Sequence, residues 1–222
     1  MRLILFGPEK TKTAWIVAGV ILVAFIVVIL WQMGAFGSSS EGLANSAKVE
    51  DRRAAVEQLG KRDDDGASEL LSKLAKDTDP WTARYAVRAL GGHRSDTNQK
   101  LLTRMVTDKA LSKATRSEAA ATLGKFKKAD PVVLTRTLVD ENEDPEVRAG
   151  AAKGLARLEM PKTIPQLSAA LEDPSPEVRL WAITAIHRMI VRTYPYDARK
   201  PPDTQKEVIQ RIREYLKKSG VL

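Results

Sequence analysis

Apolar residues recur along most of this chain at spacings of three and four, as in Leu70, Leu71 and Leu74 or Ile164, Leu167 and Leu171. That is the period of a helix buried on one side. No stretch alternates with period two for long enough to predict a strand, so the pattern reads as all-α. The helices also share a spelling. DPWTARYAVRALG at 79–91, DPEVRAGAAKGLA at 144–156 and SPEVRLWAITAIH at 175–187 are near copies, with weaker ones at 48–60 and 112–124. An alanine anchors each copy, at Ala55, Ala86, Ala119, Ala151 and Ala182, in steps of 31, 33, 32 and 31 residues. Four places later stands Leu59, Leu90, Leu123, Leu155 or Ile186. A fixed period in this range predicts a solenoid of five units, each burying its apolar face against its neighbours.

Each unit is punctuated like a helix pair. Asp79, Asp144 and Ser175 occupy N-cap positions and Pro80, Pro145 and Pro176 the first helical position, with Ser112 capping the third unit. Second helices follow after short turns, in SELLSKLAK, NQKLLTRMVT, PVVLTRTLV, TIPQLSAAL and KEVIQRIREYLKK. Most end in an acid: Asp77, Asp108, Asp140 and Asp173.

A different pattern precedes the repeats. Residues 14–33 contain no charged side chain, and Gln32 is their only clearly polar member. Twenty helical residues span ~30 Å, the thickness of a bilayer's hydrocarbon core. Trp15 and Trp31 stand near the two ends, where indoles favour the headgroup boundary. This predicts a single transmembrane helix. A cleaved signal peptide fits less well, because its apolar region is shorter (about 7–15 residues) and GAFGSSS offers a poor cleavage site. Arg2, Lys10 and Lys12 precede the segment, whereas Lys48 is the first basic residue after it. The positive-inside bias then puts the N-terminus in the cytoplasm and the solenoid across the membrane, in the periplasm if the cell is bacterial. The resulting division is a cytoplasmic head at 1–13, the anchor at 14–33, a Gly/Ser-rich flexible linker at 34–46 and the solenoid at 47–219.

The unit D-P-x-V-R-x-x-A-x-x-x-L followed by a second amphipathic helix resembles the HEAT repeat, in particular the short type found in phycobilisome lyases. The resemblance covers residues 47–219. It implies that the arginine ties adjacent units through acidic groups, a role that falls on Arg52, Arg116, Arg148 and Arg179. The second unit departs, with Ala83 at that position and Arg84 beside it. Bilin-lyase activity does not follow from the resemblance, because the repeat is a scaffold on which chemistry is separately built.

Candidate chemistry is sparse. With no cysteine, disulfides and thiol catalysis are excluded. His93 and His187 are isolated and form no H-E-x-x-H pattern, and iron binding of the kind seen in some HEAT-like proteins needs paired His-Glu motifs. Asp63, Asp64 and Asp65 lack the alternate spacing of a calcium loop and read as a capping turn. No nucleotide-binding or hydrolase motif is present. The chain reads as non-enzymatic, with no cofactor and no metal.

Two departures from the repeat are candidate partner-binding sites. Residues 191–204 enlarge the turn of the last unit with Tyr194, Tyr196, Arg199 and Lys200 among stiffening prolines. The competing reading of this loop is an end cap for the core. Trp81 stands where sister units carry Glu146 and Glu177, a position expected to be exposed; the competing reading is that the indole packs on the preceding unit. The net charge is +8, of which +7 lies beyond residue 46. Such a domain attracts acidic proteins or anionic lipid headgroups, and its predicted topology argues against nucleic acid. The function read from all this is a membrane-anchored scaffold or accessory subunit docking on integral membrane subunits. The alternative is a tethered receptor or adaptor that takes an acidic protein or peptide in its groove.

Overall fold

The computed structural model describes residues 20–23, 25, 39–190 and 192–222. Of the predicted anchor, Val20, Ile21, Leu22, Val23 and Phe25 are helical and exposed; its remainder, with Trp15 and Trp31, lies outside the described residues, as does the head at 1–13. Among the described residues no helix is long and apolar enough to cross a membrane.

Every regular element among the described residues is helical. A short helix α1 (Ser40–Ala44) is followed by ten longer elements that pair into five units. The first helices are α2 (Val49–Leu59), α4 (Pro80–Leu90), α6 (Lys113–Leu123), α8 (Pro145–Leu158) and α10 (Pro176–Met189). The second helices are α3 (Asp65–Leu74), α5 (Asp96–Thr107), α7 (Val132–Val139), α9 (Ile164–Ala169, with 3₁₀ turns on both sides) and α11 (Lys206–Lys218). Successive first helices pack on one another, as do second helices, which makes two layers with the core between them.

The repeat register holds at every seam. Ala55, Ala86, Ala119, Ala151 and Ala182 are wholly buried, and so are Leu59, Leu90, Leu123, Leu155 and Ile186. Small residues bring α6 and α8 closest: a Cβ on Gly150 would lie 2.4 Å from the Ser117 carbonyl oxygen, and one on Gly154 2.4 Å from that of Ala120. Only glycine admits that approach.

The caps form as read at three of four positions. Asp79 accepts from the Thr82 amide, Asp144 from Glu146 and Ser112 from Thr115, whereas Ser175 sits at its cap without a side-chain bond. Asp64 caps α3 through the Ala67 amide. His187 does not end its helix, because α10 continues two residues further to Met189.

One boundary differs from the sequence reading. The linker placed at 34–46 is helical from Ser40, capped by the Ser39 hydroxyl. Ala44 is buried in the core and Leu43 packs against it, so α1 covers the open end of the first unit. Gly/Ser composition masked this, since a five-residue helix has too little periodicity to read.

Candidate interaction surface

The repeat arginines build the joints. Arg52 and Arg148 each bridge the turn before their own helix and the turn 25 residues on, while Arg116 reaches only the turn 27 residues on. Arg52 grips Asp77 with two nitrogens (2.5 and 3.0 Å) and donates to the Ser46 and Ala47 carbonyls. Arg148 grips Asp173 (2.9 and 3.0 Å) and donates to the Glu143 carbonyl. Arg116 uses Glu143 at 2.7 Å and not Asp140, the acid that ends the second helix, and Lys109 shares the same carboxylate. Burial opposes the charge on Glu143, yet the hydrogen bonds from Arg116 and Lys109 outweigh it and hold the carboxyl at about 2. Ala83 leaves the second unit without this tie, and Asp108 accepts only from the amide of Ala110.

The last tie brings the insertion into the fold. Arg179 meets no carboxylate; it donates to the carbonyls of Asp173 and Pro174 on one side and of Ala198 and Lys200 on the other. Both tyrosines point inward. Tyr194 is 7% exposed, meets Tyr215 edge-on at 6.2 Å and donates its amide to His187 Nε2. Burial pushes the His187 pKa down, which keeps the ring neutral and able to accept that bond. The Tyr196 hydroxyl donates to the Leu171 carbonyl at 2.5 Å. Arg199 and Lys200 stay exposed, the former turned back on Asp197. The expectation that both tyrosines offer free contact surface is therefore corrected: Tyr194 is buried, Tyr196 is half-buried, and both fasten the loop to the end of the solenoid, while Arg199 and Lys200 face outward.

Trp81 follows the competing reading of its position and packs toward the preceding unit. It is partly buried against the core, stacks on Tyr85 with ring centroids 4.1 Å apart, and lies under Arg53 of the preceding unit at 5.5 Å. The exposed partner is Tyr85, with Arg88 over its other side at 4.8 Å. Trp181 carries Lys153 at 5.0 Å in the same way.

Sequence reading missed one further feature, a row of cations at the C-terminal edge of the first-helix layer. Lys61, Lys125, Arg157 and Arg188 each stand six residues after a seam alanine. Arg157 donates to the Ala121 carbonyl of α6 and Lys127 to the Arg157 carbonyl at 2.6 Å. The repeat offset was the available signal. Among the described residues no cluster of histidine and acidic side chains could hold a metal ion.

Comparison with known proteins agrees with this architecture. A family model for HEAT repeats matches overlapping segments at residues 40–111, 67–142, 109–187 and 134–219. The chain belongs to the HEAT-repeat family. Among solved structures, the complex of CpcE and CpcF of phycocyanin lyase from Nostoc sp. PCC7120 is similar at 20% identity and TM-score 0.53. The match covers 69% of this chain and 66% of that one, and it speaks for the fold alone. An engineered protein (20% identity, 68% and 79% covered, TM-score 0.44) and human deoxyhypusine hydroxylase in complex with glycerol (15%, 72% and 88%, TM-score 0.34) lie too far off to support an argument. No curated protein matches the sequence.

Proposed function

We propose that this chain is a non-catalytic protein-binding scaffold, held at a membrane by residues 14–33 and docking as an accessory subunit on integral membrane proteins. The observation that carries the reading is the joint system. Five units share one buried seam, and arginines in four of them reach the turn or loop that follows their unit, which makes a platform whose outer faces are free to bind. A preformed surface loses little entropy on association. Both histidines are engaged with main-chain groups, His93 with the Gly60 carbonyl and His187 with the Tyr194 amide, which supports a structural role for each.

The uncharged run at 14–33 and its basic N-terminal flank support the tether, with the solenoid on the non-cytoplasmic side. Arg199 and Lys200, at the tip of the insertion, and anionic headgroups near the tether are further contacts this reading allows. Mild detergent extraction followed by identification of co-purifying chains tests it. Stoichiometric integral membrane subunits are the expected result, and a chain that purifies alone at native expression would overturn it. A reporter fused after Leu222 tests the orientation, which fails if the reporter works only in the cytoplasm. A second reading, an adaptor for an acidic protein, is favoured by the row of cations.

A further inference from the structure

We propose that the C-terminal edge of the first-helix layer, centred on Lys125, Arg157 and Arg188, binds an extended acidic segment of a partner protein. This rests on the protein-binding reading and adds to it the surface and the chemistry of its ligand.

The row comes from the repeat. Six residues after the seam alanine stand Lys61, Gly92, Lys125, Arg157 and Arg188, so the second unit interrupts the series and the cations of the third, fourth and fifth units follow successive packed helices. Packed helix axes are ~8–10 Å apart, and a strand in the polyproline II conformation advances ~3.1 Å per residue with three residues per turn, so every third side chain lies on one face ~9 Å from the last. A carboxylate at every third position of a bound strand therefore meets one cation per unit from the third unit to the fifth.

The bland explanation is that these cations only answer the partial negative charge at helix C-termini. Arg157 does take up the Ala121 carbonyl, and Arg188 pairs with Glu159. Cations nevertheless outnumber those needs. Among the described residues Lys61, Arg94, Lys125, Lys127 and Arg157 make no ion pair, while Glu118, whose field reaches Lys125 and Arg157, is taken by Arg88 at 2.9 Å. Burial lowers the pKa of Lys125, and the charges of Arg157, Arg88 and Arg94 lower it further. Arg157 is lowered by burial, raised by Glu118 and lowered again by Arg88 and Arg188. The cations thus crowd one another around a single acid that Arg88 already holds, and an added carboxylate would find unpaired partners there. Aromatic rings flank the row, with Tyr85 under Arg88 and Trp181 under Lys153. A protein strand suits the site better than a bilayer does. Glu118 and Glu159 are interleaved among the cations, so the charge is arranged in spots and not as a uniform field.

The test uses the full chain in non-ionic detergent and a fluorescent peptide with glutamate at every third position. Salt-sensitive binding is expected, and it should weaken by about tenfold or more in the Lys125→Gln/Arg157→Gln/Arg188→Gln variant. Lys125→Gln/Arg188→Gln, which keeps the Arg157 tie, should show most of that loss at an unchanged melting temperature. A charge-matched variant of the second-helix face, Lys100→Gln/Arg104→Gln/Arg136→Gln, should bind normally. Equal losses from the two faces, or no peptide binding, would overturn the proposal. So would tighter binding to phosphatidylglycerol vesicles or to a single-stranded oligonucleotide that the edge variant abolishes. If the edge variant keeps its co-purifying membrane subunits and peptide binding is absent, the edge has failed while the scaffold stands. If no chain co-purifies even with the unaltered protein, the scaffold itself has failed.

Discussion

At the scale of single residues, the stability of this molecule turns on a few charges placed between turns. Removing one guanidinium leaves a carboxylate facing a joint it was built to close. Arg148→Met should cost ~3 kcal/mol or more, because a buried pair that loses one partner keeps the desolvation penalty of the other; chemical denaturation measures it. Glu143 gives a pH signature. Its carboxyl is held at about 2 in the fold, below the ~4.3 of an unfolded glutamate. Its contribution is therefore complete above that unfolded value and disappears as pH falls toward the folded one. Melting temperature followed across that acid window should fall less steeply in Glu143→Gln than in the unaltered chain, and parallel curves would refute the assignment. The arginines were legible in sequence only through a family resemblance. That Arg116 takes Glu143 and not Asp140 was not legible, because either acid lies within reach of the same turn.

At the scale of elements, the first helices owe their packing to what their seams leave out. Ala151 is wholly buried between neighbouring helices, so Ala151→Leu should overpack the seam and cost ~1–3 kcal/mol. Gly154→Ala should also destabilise, since its new Cβ would fall 2.4 Å from a main-chain oxygen that cannot swing aside. Thermal unfolding of both variants checks the register, and an unchanged Ala151→Leu would place the seam elsewhere. Seam positions were fully legible, because period and residue size both mark them. The short α1 was not, and for Trp81 the sequence left an exposed and a packed reading side by side. The first is too brief to show a period, and the second depends on Arg53 and Tyr85, neighbours that the repeat pattern alone does not bring together.

For the whole molecule, the two ends matter as much as the repeats. A solenoid must cover its terminal core, and here α1 does so at one end and the inserted loop with α11 at the other. Tyr194→Ala should therefore cost ~3 kcal/mol or more, in the range for deleting a buried aromatic ring, and partner binding need not change. Arg199→Ala with Lys200→Ala should leave the melting temperature where it was while testing the outward tip. The opposite pattern in a paired melting and co-purification experiment would restore the tyrosines as contacts. Composition correctly marked this loop as exceptional, but tyrosine serves an interface and a core equally well, and only the positions of Leu171, His187 and Tyr215 decide between them.

The missing guanidinium at Ala83 has one more consequence. Where Arg52, Arg116 and Arg148 reach the turn that follows their units, no arginine of the second unit reaches the turn after α5; there Asp108 bonds within its own turn, and Lys109 ties the turn onward to Glu143 alone. A stack of repeats breathes where its coupling is weakest. In deuterated buffer, amides around residues 108–112 should exchange ahead of those in the corresponding turns at 140–144 and 173–175. The molecule would then open as a door between its second and third units, with two panels on one side of the hinge and three on the other.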